Sequence, residues 1–185
     1  MSMSKIIKNH SILLLFSTVF LASCSSIYMP NVPSTPMFKN SGEVYVGGHF
    51  NAKGNISANL GVAISDNIAI IANGSTVNTG ANSNNYFRQW LTEGGIGYFT
   101  TMGKDKRQGF EMYAGYGVGN TKDFKQRASI YGYELVESRE MNFDKIFLQV
   151  NYSSTRKKKI NIFGDKKELN YGTAIRLSRI GMKDF

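Results

Sequence analysis

From Glu43 onward the chain contains no proline, and hydrophobic residues alternate with small or polar ones. A period of two puts successive side chains on opposite faces of a strand. Val44, Val46, Gly48 and Phe50 alternate with Glu43, Tyr45, Gly47 and His49. Ile56, Ala58, Leu60, Val62 and Ile64 alternate with Asn55, Ser57, Asn59, Gly61 and Ala63. Ser65-Asp66-Asn67 reads as a tight turn, Ile68 to Ser75 as a third strand, and Thr76 to Asn85, rich in Asn, Gly, Ser and Thr, as a loop. Strand four runs from about Phe87 to Thr100, and Gly103 to Gln108 is a charged turn. Strand five sets Phe110, Met112, Ala114, Tyr116 and Val118 against Gly109, Glu111, Tyr113, Gly115 and Gly117. Residues 119–142 are the most charged stretch and are expected as a long loop, with a short helix or a strand extension as the alternatives. Strand six sets Ile146, Leu148, Val150 and Tyr152 against Phe147, Gln149 and Asn151. A basic turn, a short strand from Ile160 to Phe163, a turn from Gly164 to Glu168 and a last strand from about Leu169 to Ile180 complete the chain. The pattern predicts an all-β, antiparallel up-and-down β-barrel of about eight strands over residues 43–185. Nineteen glycines, ten tyrosines and twelve phenylalanines favour strand over helix in the same way.

Eight alternating strands fit two opposite objects, and the less apolar face decides between them. A soluble calyx has to wet its outer face with charge. Here that second face is mostly Asn, Ser, Gly, Thr, Tyr and Gln, and the lysines and arginines gather in turns. Small neutral side chains suit the narrow interior of an eight-stranded barrel whose apolar face meets lipid. Turns after strands two, four and six are short, and the loops after strands three and five are long, which is the outer-membrane pattern with short turns periplasmic. Both chain ends are then expected on the periplasmic side. The alternative is a lipid-anchored periplasmic calyx that binds a small hydrophobic ligand, with Ile56, Leu60, Ile146 and Leu148 turned inward.

Lys5 and Lys8 precede Ile12 to Leu21, ten residues of which only Ser17 and Thr18 are polar. Such a run is too short to span a bilayer and long enough for a signal-peptide core. Leu21-Ala22-Ser23-Cys24 resembles a bacterial lipobox. That resemblance implies that residues 1–23 are a signal peptide removed from the mature chain and that Cys24 carries covalent lipid, such as palmitate. An ordinary secretory signal with an incidental Cys24 is the alternative. Cys24 is the only cysteine, so its acylation excludes disulfides, zinc–thiolate sites and cysteine nucleophiles. Residues 24–42 hold all three prolines, Pro30, Pro33 and Pro36, spaced by three. This spacing favours an extended, polyproline-like tether, reaching roughly 50 Å at 3.1 Å per residue. A proline-rich recognition motif is the other use of such a stretch.

Glu111-Met-Tyr-Ala-Gly-Tyr-Gly-Val-Gly119 and Glu93-Gly-Gly-Ile-Gly-Tyr-Phe99 resemble strands of the small OmpA/OmpX-type outer-membrane barrels. The lipobox, the proline stretch and Gly42-Glu-Val-Tyr-Val-Gly-Gly48 further resemble uncharacterised lipoproteins of Bacteroidetes-type bacteria. The resemblance implies a non-enzymatic outer-membrane lipoprotein with a structural, adhesive or envelope-maintenance role. Residues 119–142 would then meet an extracellular or envelope partner. Such barrels often end on an aromatic residue, as Phe185 does, although Gly181 to Asp184 is not strand-like.

The 22 basic residues lose Lys5 and Lys8 with the signal and still exceed the 13 acidic ones. For an exported protein the counter-charge is anionic lipid head groups rather than nucleic acid. Arg156, Lys157, Lys158 and Lys159, with Lys104 to Arg107, either contact head groups or form solvated turns. Catalytic equipment is thin. His49 is the only histidine after the signal, which leaves no metal site without carboxylate partners. Gly115-Tyr-Gly-Val-Gly119 lacks the helix and lysine of a phosphate loop. No catalytic residue, metal or cofactor is expected beyond the lipid. Alternation puts Glu43, Glu93, Glu111 and Arg176 on the interior face, where buried charges must meet one another. Closure between the first and last strands predicts Glu43 with Arg176 as the pair.

Overall fold

The computed structural model describes residues 28–52, 54–80, 85–103, 105–130, 132–155, 160–162, 165–167 and 169–183. Strands β1 (Val44–Phe50), β2 (Asn55–Ala63), β3 (Ile68–Thr79), β4 (Tyr86–Met102), β5 (Gln108–Ser129) and β6 (Gly132–Thr155) pair antiparallel, each with its chain neighbour. β7 (Ile160–Ile162) and β8 (Asp165–Lys167) form a separate two-stranded hairpin, and β9 (Asn170–Lys183) pairs with β6. The chain is all-β and up-and-down, as expected, but among the described residues its main sheet has seven strands instead of eight. Ile160–Ile162 is too short to line a sheet beside the 24-residue β6, so β9 takes the neighbouring place. β1 and β9 are the two edges and are not hydrogen-bonded to each other.

An odd strand count changes the topology. β9 runs in the same direction as β1, and its last residue, Lys183, pairs with Asn142 beside the β5–β6 hairpin. The strand path therefore starts at the end that carries the short β2–β3 turn and finishes at the opposite end. The last strand had been expected to end on the side of the short turns.

The alternation read from the sequence sorts the two faces as anticipated. Asn55, Ser57 and Asn59 are buried, and the intervening Ile56, Ala58 and Leu60 are exposed. Cross-strand register lines the convex face with apolar rows. One row is Val44, Val62, Ile70, Ile96, Ala114, Leu148 and Leu177. The parallel inner row reads Gly47, Asn59, Asn73, Glu93, Gly117, Lys145 and Ile180. The outer face is thus mainly apolar, while the inner face mixes polar side chains with buried apolar ones such as Ile71, Phe99 and Phe147.

The stretch 119–142 is strand rather than loop for nearly its whole length. Its charges neutralise in place: Lys122 lies opposite Glu140 at 2.7 Å and Lys125 opposite Glu137 at 3.0 Å, while Arg139 meets Glu137 two residues away on β6. Cross-strand pairs of opposite charge support a ladder as apolar pairs do. β3 likewise runs past Ser75 to Thr79, because Thr76 to Thr79 pair with Phe87 to Trp90.

Inside the sheet, glycines face large side chains across the ladder. Tyr113 pairs with Gly97, Phe147 with Gly115 and Phe143 with Gly119. A Cβ on Gly119 would stand 2.5 Å from the Phe143 ring and 2.6 Å from the Trp90 carbonyl. Rings laid over glycines fill a narrow interior without voids. Gly119→Val is expected to cost about 1–3 kcal/mol by overpacking. The cost should shrink when Phe143 is shortened to Leu in the same chain, as read from denaturant midpoints of the folded protein.

Candidate functional site

The interior is occupied by the chain's own residues 28–39. They form no regular secondary structure and run along the concave face before a turn at Gly42 (φ 81°) leads into β1. The length fits. Tyr28 meets the Phe143 ring edge-on at 5.2 Å, and Lys39 Nζ donates to Thr155 at 3.2 Å, twelve residues further along β6. Twelve strand residues rise about 40 Å along a tilted strand. Eleven extended, proline-rich residues cover about 34 Å along the axis. The proline stretch runs the length of the interior as a strap held by the sheet rather than as a free spacer.

The strap is held mainly through its backbone. Met29 N–H donates to Gln89 Oε1 at 2.8 Å, and Gln89 Nε2 donates back to the Met29 carbonyl at 2.5 Å. Thr121 Oγ1 fixes that amide by donating to Gln89 Oε1 at 3.2 Å. Asn59 Nδ2 reaches the Val32 carbonyl at 3.4 Å and His49 Nε2 at 3.1 Å. The Ser34 carbonyl accepts from Gln149 Nε2 at 2.6 Å and Asn151 Nδ2 at 3.0 Å, and Ser34 Oγ donates to Asn73 Oδ1. Phe38 N–H donates to Glu111 Oε1 at 2.8 Å, and Lys39 N–H to Glu43 Oε2 at 2.8 Å. The half-buried Pro33 and Pro36 suit this setting because they bring no N–H that would need a partner, and Pro30 is exposed.

Two apolar clusters flank this polar zone. Phe38 packs with Ala63, Ala69, Ile71, Phe99, Tyr113 and Phe147 toward the β2–β3 turn, and Leu91, Met141 and Phe143 receive Tyr28 toward the β5–β6 hairpin. Gly61 makes room for the strap, since a Cβ there would lie 3.1 Å from the Phe38 ring and 3.4 Å from Pro36.

A buried ion cluster lies between them. Glu93 Oε1 binds Lys145 Nζ at 2.5 Å, and Glu93 Oε2 binds Arg176 Nη1 at 2.6 Å. Their side chains are 0%, 1% and 6% exposed. Glu93 and Lys145 lie two strands apart, and Gly117 between them carries no side chain to block the bridge. Arg176 also donates through Nε to Gln149 Oε1 at 2.7 Å and lies 4.3 Å over the Phe147 ring. Lys145 Nζ stands 5.7 Å over the Tyr28 ring, so the cluster also touches the strap.

Of the four charges expected inside, Glu93 and Arg176 meet. Arg176 crosses the interior to β4 and does not pair with Glu43, because β1 and β9 do not adjoin. Glu43 instead fastens the turn into β1, accepting from Lys39 N–H and from Asn40 Nδ2 at 2.9 Å. Glu111 binds Asn151 Nδ2 at 2.7 Å and the strap at Phe38. Lys145 is the member that sequence reading missed. It sits one position before the expected start of strand six, on the same face as Phe147 and Gln149. Cys24, Lys104 and the basic turn Arg156, Lys157, Lys158 and Lys159 lie outside the described residues.

Beyond the apolar rows, the hairpin carries the exposed ion ladder. The hydrogen bond from Lys125 holds the Glu137 carboxyl below its ordinary range, and Lys122 does the same for Glu140. These contributions are present above the ordinary carboxylate range and are lost as pH falls through the lowered values. Among the described residues no three His, Cys, Asp or Glu side chains converge to hold a metal ion. No family model, curated protein or solved structure matches the chain.

Glu93→Ala is expected to cost about 3–5 kcal/mol, because two buried cations lose their counter-charge. Replacing Glu93, Lys145 and Arg176 together by apolar residues should cost much less. In a double-mutant cycle Glu93 and Arg176 should couple by about 0.5–3 kcal/mol, whereas Glu43 and Arg176 should add independently. Equal coupling in the two cycles would contradict the assignment.

Proposed function

We propose that this protein is a non-enzymatic, lipid-anchored outer-membrane β-barrel with a structural, adhesive or envelope-maintenance role. The observation that carries this reading is the inverted polarity of the sheet, apolar outside and hydrogen-bonded inside. On β5 the convex apolar positions run from Phe110 to Val118. That is about 27 Å along the strand, or about 21 Å after a 40° tilt, close to the ~25 Å apolar band of such barrels. Aromatic residues mark both margins. Tyr98, Tyr152 and Tyr171 stand at one, and Phe50, Trp90 and Tyr116 toward the other. The next convex row past Trp90 is Asn78, Arg88, Lys122 and Glu140, polar and charged as a water-facing row should be. A bilayer leaves no water for the free edges of β1 and β9, so this reading requires that seam to close on insertion.

A hydrophobic calyx gains no support from this geometry. Ile56, Leu60, Ile146 and Leu148, the side chains it needs inside, are 58%, 51%, 62% and 47% exposed on the convex face. The hairpin that ends at Ile130 is the segment offered to an envelope or surface partner. Its ladder of paired charges makes it a stiff projection.

Four results are expected. Intact-mass analysis of membrane-extracted protein should give a chain that begins at Cys24 and carries lipid. Folded protein should migrate differently from boiled protein in detergent gels, and proteolysis within residues 24–27 should leave the domain in the membrane. Leu148→Arg, at mid-band, should cost about 2–4 kcal/mol of stability in lipid. Release of a soluble domain on cleavage would overturn the proposal.

A further inference from the structure

The contacts inside the sheet also fix a direction. Met29 is clamped by Gln89 and Thr121, near the hairpin end of β4 and β5, and Lys39 is held at Thr155 and Glu43, at the end of the β2–β3 turn. The turn at Gly42, closed by Gly42 N–H to the Ala63 carbonyl at 2.8 Å, then reverses the chain into β1. The strap thus descends the interior from the hairpin end, and β1 climbs back. Cys24 lies four residues before Tyr28, a span of at most about 14 Å even when fully extended. That reach is well under half the ~34 Å length of the interior.

We infer that the interior is a binding site for an extended polypeptide backbone, filled by residues 28–39. Through it the N-terminus is threaded out at the hairpin end, placing the lipid of Cys24 in the leaflet on that side, opposite the short turns. A simple tether would have put it with the short turns. The inference rests on the membrane-spanning reading for the leaflet, and on contacts alone for the threading. Recognition is sequence-tolerant, because the side-chain amides of Gln89, Asn59, Gln149 and Asn151 and the carboxylates of Glu111 and Glu43 address strap N–H and C=O groups. Ser34, fully buried, is also bonded through its own side chain, to Asn73, as Lys39 is to Thr155.

The test uses single-cysteine variants of the full-length, lipidated protein and a membrane-impermeant maleimide. Acylation consumes the Cys24 thiol, so each variant offers one reactive sulfur. In intact cells Ser26→Cys should label with Ile130→Cys, at the hairpin tip, and at least tenfold faster or slower than Asp66→Cys, in the β2–β3 turn. Ser26→Cys labelling in step with Asp66→Cys and against Ile130→Cys would overturn the inference. If all three label alike, the membrane-spanning reading falls instead, and Ser34→Cys decides the threading. Its thiol should react at least tenfold more slowly in the folded protein than after denaturation, and equal rates would show that the strap does not occupy the interior.

Discussion

A sheet that turns its polar face inward must satisfy that face from within. Everything else in this structure follows from that constraint. Buried amides and carboxylates without partners would cost on the order of 1–3 kcal/mol each. Asn59, Gln89, Glu111, Gln149 and Asn151 line an interior too narrow to hydrate freely and too polar to collapse on itself. The chain supplies the missing partner as a strand of its own backbone. Prolines thin its donors, Ser34 sits at its centre, and Phe38 and Tyr28 anchor it in an apolar cluster at each end.

Charge obeys the same constraint. Lys145 and Arg176 are tolerable inside only because Glu93 meets both, and Glu93 can reach both only because Gly117 leaves the space between β4 and β6 open. The glycines of strands four and five, which look like loose composition in the sequence, are the places where rings and ions from neighbouring strands lie down. The outer surface needs no such provision. It is largely apolar across seven strands. Within the band only Asp144, opposite Val118, and Arg179, opposite Ile146, carry charge among the described residues, and the charged rows begin where the hairpin leaves it.

Much of this was legible in the sequence, for a physical reason. Period two is a property of every strand, so residues such as Ile56 and Asn59, or Ile146 and Gln149, declare their faces without any tertiary information. What escaped depends on partners distant in the chain. Lys145 was passed over because apolar alternation seemed to begin at Ile146, although the face it shares with Phe147 continues one residue earlier. The charged run from Lys122 to Glu140 read as loop because its supporting pairs form only across the hairpin. Arg176 points to the wrong carboxylate in the sequence because strand order alone sets it beside β1, whereas its long side chain reaches across the interior to Glu93 on β4. The prolines announced an extended segment, but an extended segment looks the same in water as inside a sheet. The asparagines and glutamines opposite it were the available clue, since side-chain amides on an inner face need something to bind.

The central claim is that the convex face meets lipid and the concave face holds the strap. The chain carries a single tryptophan, Trp90, half exposed near the margin of the convex apolar face. Its fluorescence therefore reports that surface alone. In proteoliposomes made with lipids brominated or spin-labelled at graded depths, the account predicts strong quenching of Trp90. Quenching should be greatest for labels near the head-group boundary, with little effect of iodide in the water. Quenching by iodide with no response to any labelled lipid would contradict it.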